Sequence, residues 1–163
     1  MLTRRMTLSG MAAIASANFM LIRGAWSAGE DHVVHSDAEW RAMLTDDQYA
    51  VLRKEGTERP FTSPLLHEER KGVFACAGCS LDAFSSSTKF DSGTGWPSFW
   101  APLDYAVDSH TDNSWGMSRT AVSCHRCEGH LGHVFNDGPK PTGLRYCMNG
   151  VALKFVPSAP GAT

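Results

Sequence analysis

The 163-residue chain has no excess of positive charge. Lys and Arg number 15 against 17 Asp and Glu, for a net charge of −2. A phosphate-binding surface needs a basic stripe, so this balance argues against nucleic acid as a partner. There is also no apolar run long enough to cross a bilayer. The stretch from Met6 to Ile22 falls short of the ~20 residues a span needs, and Asn18 interrupts it. No stable membrane anchoring is expected. Low-complexity tracts are absent, and the only internal repeat is a pair of short cysteine motifs. Cysteine itself is sparse, at five residues, and the number is odd.

What is there begins with an N-terminal export signature. Arg4 and Arg5 precede the apolar stretch, and the small residues Ala25, Ser27 and Ala28 follow it. This order defines a secretory signal over residues 1–28, and the paired arginines suggest the twin-arginine route to the periplasm. The leader carries three arginines and no acids, so the remainder sits near −5. About 135 residues remain, enough for one domain with a single core. Residues 29–35 read as a linker, 36–157 as one catalytic domain and 158–163 as a flexible tail.

Two capping boxes open the domain. Ser36-x-x-Glu39 and Thr45-x-x-Gln48 each precede apolar residues at helical spacing, predicting two short helices, the second stopping at Gly56. Ser63 and Pro64 suggest one helical turn through Glu69. From Gly72 onward the signals are strand-like. Strands are expected over 73–75, 81–84, 89–90, 103–107, 114–123 and 144–156, with a Gly/Pro-rich loop over 91–100 and a polar turn from His110 to Asn113. Five Trp and fifteen Gly lean the same way, towards a turn-rich, largely β structure.

Four of the cysteines form two Cys-x-x-Cys pairs, Cys76/Cys79 and Cys124/Cys127, with 44 residues between them. A turn of this kind aims two thiolates at one ion, and two turns complete a tetrahedral site at ~2.3 Å per Zn–S bond. With four sulfurs the site is closed, so zinc here is structural, one ion per chain. Disulfides or a redox-active dithiol are the competing readings. Neither explains two matching pairs flanking one sheet region. His125, inside the second pair, reads as an exposed knuckle residue.

Cys147 is left over. If 144–156 is a strand, Arg145, Cys147 and Asn149 share a face. A guanidinium two residues away favours thiolate over thiol, and the Asn149 amide can donate or accept a hydrogen bond. A buried structural cysteine is the plainer alternative, but polar neighbours on its own face argue against it. His130 and His133 could be metal ligands. Four sulfurs already satisfy a zinc, so proton transfer or hydrogen bonding suits them better, and a packed core role fits at least one. Trp96, held between Gly95 and Pro97, reads as a surface platform for a methyl group or aliphatic stem.

The segments GTERPFTS, CAGC, SGTGWPSF, CHRC, HLGHVF-x-DGP and GLRYCMNG, in this order, closely resemble the methionine sulfoxide reductase B family over roughly residues 36–157. The resemblance implies a mainly β fold of two antiparallel β-sheets with short N-terminal helices and a four-cysteine zinc knuckle site. It implies reduction of the R-epimer of methionine sulfoxide, mainly in oxidised proteins or peptides. Cys147 would be the nucleophile, left as sulfenic acid, with His130 or His133 assisting the proton and Arg145 keeping the thiolate charged. Trp96, Asn149 and Phe99 would bind substrate.

One position departs from many relatives. Where they carry a resolving cysteine in the SG-x-GWPSF loop, this chain has Thr94. A one-cysteine enzyme is therefore expected, recycled by an external thiol reductant, a thioredoxin-like protein or a small thiol. Two other classes compete: a zinc-ribbon interaction module without catalysis, and a thiol–disulfide oxidoreductase using a Cys-x-x-Cys pair.

Overall fold

The computed structural model describes residues 32–159. The expected export signal over 1–28 lies outside the described residues. Helices α1 (Asp37–Met43) and α2 (Asp46–Lys54) begin at the two capping boxes. In each, the cap side chain accepts from the N3 backbone N–H and the N3 side chain accepts from the cap N–H. The stop falls one residue before the expected glycine. Glu55 takes the left-handed conformation (φ 56°), and the Gly56 N–H reaches back to the Ala50 carbonyl at 2.9 Å. Residues 64–67 form turns, not a helix. Among the described residues no helix is long and apolar enough to cross a membrane.

Among the described residues nine strands follow: β1 (Gly72–Cys76), β2 (Asp82–Ser85), β3 (Lys89–Phe90), β4 (Ser98–Phe99), β5 (Val107–Asp112), β6 (Arg119–Cys124), β7 (His130–Phe135), β8 (Arg145–Met148) and β9 (Leu153–Pro157). They form two antiparallel sheets, β2-β1-β9 and β3-β4-β8-β7-β6-β5. The fold is thus mainly β with two short N-terminal helices, as the family resemblance implies.

Several strands differ from the sequence expectation: the one expected over 114–123 begins only at Arg119, after a 3-10 turn over Ser114–Gly116, and β4 and β7 are not among the expected strands. Two further differences have a clear physical reason. The strand expected over 103–107 begins only at Val107 and runs through the residues read as a polar turn. It is the edge of the larger sheet, and Asp108 to Thr111 are exposed, so no apolar alternation marks it. The single strand expected over 144–156 is two strands in different sheets. The Gly150 and Val151 N–H groups donate to the Glu58 carboxylate at 2.6 and 2.9 Å instead of to a neighbouring strand. Residues 150–152 then make a 3-10 turn that carries the chain from one sheet to the other.

The core fills the space between the sheets. Phe74 of β1, Phe84 of β2 and Phe99 of β4 are fully buried, with Phe99 stacked on Phe84 (4.5 Å) and edge-on to Phe74 (5.0 Å). Each such ring contributes roughly 1.5–3 kcal/mol by leaving water. α2 packs against β7 and the 150–152 turn. Residues 32–35 lie along the second cysteine pair, where the Val33 N–H donates to the Arg126 carbonyl at 2.8 Å.

Candidate active site and metal centre

The two Cys-x-x-Cys segments fold identically. The fifth residue of each, Ser80 and Glu128, has a left-handed backbone (φ 66° and 58°) and returns its N–H to the first cysteine's carbonyl, at 2.9 and 2.8 Å. Each first cysteine N–H is in turn bonded to the carbonyl of the sixth residue, Leu81 or Gly129, at 2.8 Å. Both pairs of sulfurs therefore point off a tight hairpin tip. All four Sγ atoms lie within 4.8 Å of one another, with Cys76–Cys127 at 3.6 Å and Cys79–Cys124 at 3.4 Å. A tetrahedron with 2.3 Å bonds has sulfur–sulfur edges of about 3.8 Å, so the four fit one metal ion. None is in a disulfide. Cys76 ends β1 and Cys124 ends β6, so an ion held here ties the two sheets together. His125 stands outside the quartet, on Asp108 at 3.0 Å.

Cys147 occupies a different place. It lies on β8 between β4 and β7, directly across from Ser98 on one side and His133 on the other. Directly opposed residues of an antiparallel pair face the same way, with Cβ atoms about 5 Å apart. A cleft of about 120 Å³ opens there, lined by Thr57, Trp96, Arg119, Gly132, His133, Phe135, Cys147 and Asn149. A larger groove of about 740 Å³ runs beside α2 and shares Thr57, but it contains neither Cys147 nor either histidine.

The cleft walls are fixed from below. The Trp96 indole N–H donates to the Glu58 carbonyl at 3.1 Å. The Asn149 carbonyl oxygen accepts the Glu58 N–H at 3.0 Å, and its amide donates to the Leu131 carbonyl at 3.1 Å. One amide hydrogen of Asn149 is left for a ligand. Arg145 grips Asp137 through two 2.8 Å bonds and lies 4.4 Å over the Phe135 ring. Those bonds, and secondarily the nearby Cys147, bind its proton more tightly than usual, while Asp137 is held below the usual carboxylate range by the same guanidinium. Thr94 Oγ1 is 3.7 Å from Cys147 Sγ and continues into Ser92 and Ser98.

The two histidines separate. His133 lines the cleft, and its Nε2 meets Asp112 Oδ2 at 2.8 Å. His130 is buried, and neither ring nitrogen has a hydrogen-bond partner among the described residues. Desolvation, aided by neighbouring His133, pushes its pKa down to about 4, so the ring is neutral at pH 7. Phe99 is also elsewhere: it sits inside the core against Phe74 and Phe84, and the aromatic ring at the cleft is Phe135.

The SelR domain model matches residues 44–157. This chain belongs to the methionine sulfoxide reductase B family. It is 54% identical over 121 residues to a peptide methionine sulfoxide reductase MsrB of Leptospira interrogans, covering 74% of this chain and 92% of that one. It is likewise similar to proteins of the same name from Pseudomonas putida (58% over 120 residues, 73% and 90% covered) and Methanosarcina mazei (51% over 127 residues, 77% and 91%).

Within this family frame, sequence reasoning missed Glu58, Thr57, Asp112, Arg119 and Phe135. Glu58 stood inside GTERPFTS but carried no signal for its two-sided hydrogen bonding. Asp112 fell in the residues read as a turn. Arg119 is a charged residue starting an otherwise apolar strand, and that contrast was its one visible sign.

Proposed function

We propose that this protein reduces the R-epimer of methionine sulfoxide, chiefly in oxidised proteins and peptides. The observation that carries the reading is that the one thiol outside the cysteine quartet lies in a cleft beside His133, Trp96 and Asn149. The cleft accepts the methylsulfinyl end of one side chain, with Trp96 and Phe135 as apolar walls for the methyl group. The spare Asn149 amide hydrogen orients the sulfoxide oxygen.

Cys147 sulfur attacks the sulfoxide sulfur, and the sulfoxide oxygen takes a proton. The oxygen ends on Cys147 as sulfenic acid while methionine leaves as the thioether. The substrate sulfur gains two electrons and Cys147 sulfur loses two. His133 carries the proton, because His130 is sealed away and uncharged. Arg145 supplies positive charge beside the reacting sulfur.

No second thiol stands by Cys147, since Thr94 fills that position. The sulfenic acid is therefore reduced by an external thiol reductant, giving water and a disulfide. The four-thiolate donor set suits zinc, which fixes the two hairpins and takes no part at the cleft. The leader over residues 1–28 directs the protein to the periplasm by the twin-arginine route.

A peptide carrying the R-sulfoxide, incubated with dithiothreitol, tests the reading. Turnover by the wild type and none by Cys147→Ser with its metal content unchanged is the expected result. Activity that survives Cys147→Ser but vanishes in Cys76→Ser would move the chemistry to the cysteine pairs.

A further inference from the structure

We infer that Asp112 is a positioning residue for the reaction, holding His133 in the one tautomer that can pass a proton between Cys147 and the sulfoxide oxygen. The inference rests on the reductase reading above and assigns a role to a strand that reading leaves unused.

Four strands of the larger sheet line up the relevant groups. Asp112 is on β5, Arg119 on β6, His133 on β7 and Cys147 on β8. Asp112 pairs with Arg119, His133 with Ala121, and Cys147 with His133, so these side chains share one face of the sheet. Ala121 lies on β6 between Asp112 and His133. Its single methyl leaves the path open for the 2.8 Å contact between Asp112 Oδ2 and His133 Nε2.

Besides His133, two residues hold Asp112, and they also meet each other. Ser114 N–H donates to its Oδ1 at 2.8 Å, Arg119 Nη2 donates to its Oδ2 at 2.6 Å, and Arg119 Nη2 also reaches Ser114 Oγ at 3.0 Å. The Ser114 hydrogen bonds first, then His133 and Arg119, hold its pKa well below the usual carboxylate range. It is therefore an acceptor only, and the hydrogen between it and His133 belongs to Nε2. In the neutral ring the lone pair then sits on Nδ1.

That arrangement gives a closed proton path. Nδ1 takes the Cys147 thiol proton as the sulfur becomes nucleophilic, and the same proton passes to the sulfoxide oxygen. Thiol plus sulfoxide becomes sulfenic acid plus thioether, with no proton drawn from solvent. The Asp112 carboxylate faces the transient imidazolium and stabilises it. Arg119 and Ser114 keep the carboxylate in place.

Asp112→Asn keeps the shape and removes the charge. Its kcat on the R-sulfoxide peptide is expected to fall about a hundredfold, with KM changed less than threefold. Asp112→Glu is expected to recover part of the loss. A merely structural role is separated by a double-mutant cycle: Asp112→Asn in a His133→Gln background should cause no further loss, since the carboxylate acts through the ring. ¹⁵N NMR of His133 gives a readout independent of turnover. The Nε2–H tautomer is expected in the wild type and a mixture in Asp112→Asn. The inference is overturned if Asp112→Asn retains kcat within twofold, if the two substitutions multiply, or if the tautomer is unchanged. Absence of turnover in the wild type would instead sink the reductase reading, and the NMR result would still decide whether Asp112 fixes the ring.

Discussion

Two histidines three residues apart, His130 and His133, have opposite environments. His133 reaches the cleft and an acidic partner, while His130 has neither. The sequence showed a pair and gave no means of telling them apart, because a register shift between Val122 and Ser123 brings both rings to one side of β7, 5.3 Å apart, and only the strand neighbours decide that His133 meets Asp112 and the cleft. The buried ring has a consequence for stability. Its folded pKa, about 4, is below the ordinary value of 6.5, so the unfolded chain binds the proton more readily between those values. Its neutral form contributes no loss above pH 6.5. Stability then falls as pH drops from 6.5 towards 4, by roughly 3 kcal/mol at the lower end. His130→Leu should remove this part of the acid sensitivity. Urea midpoints at pH 7 and pH 4.5 are expected to differ less in the variant than in the wild type, and equal differences would contradict the assignment.

Among the elements, the helices and cysteine hairpins were the most legible. Both capping boxes and both Cys-x-x-Cys turns are local signals, and local hydrogen bonds realise them. The strands were less so. β5 hides its edge position in polar residues, and the β8–β9 break depends on Glu58, more than ninety residues upstream. The pairing of β7 with β8 was invisible in the sequence, yet it sets Cys147 opposite His133. Gly132 makes that pairing close. A Cβ there would sit 2.2 Å from the Cys147 carbonyl oxygen and 2.9 Å from Met148 Cα, both backbone atoms. Gly132→Ala must push β8 away, at a cost of about 1–3 kcal/mol or more. Because Cys147 moves with β8, turnover should fall more steeply than stability. Thermal unfolding alongside kcat checks this, and an active, equally stable variant would refute the close-pairing account.

At the scale of the whole molecule, two sheets meet through an aromatic core and through one cysteine quartet. The quartet joins the end of β1 in one sheet to the end of β6 in the other, and β6 leads through the second hairpin into β7. Metal removal is therefore expected to loosen the whole fold. A chelator should lower the melting temperature by more than 10 °C, since binding energy at a structural four-thiolate site is folding energy. Activity should disappear with the fold and return with zinc. A chelated protein that keeps its melting temperature would show that the quartet carries no structural load.

The most direct measurement follows the sulfurs through one turnover. The protein is mixed with excess R-sulfoxide peptide, without reductant and with a sulfenic-acid trap, and analysed by native and peptide mass spectrometry. The account predicts one trap adduct per chain, on Cys147, one methionine formed, and the metal still bound. Methionine formed with the adduct on any of the four quartet cysteines, or with the metal expelled, would contradict it.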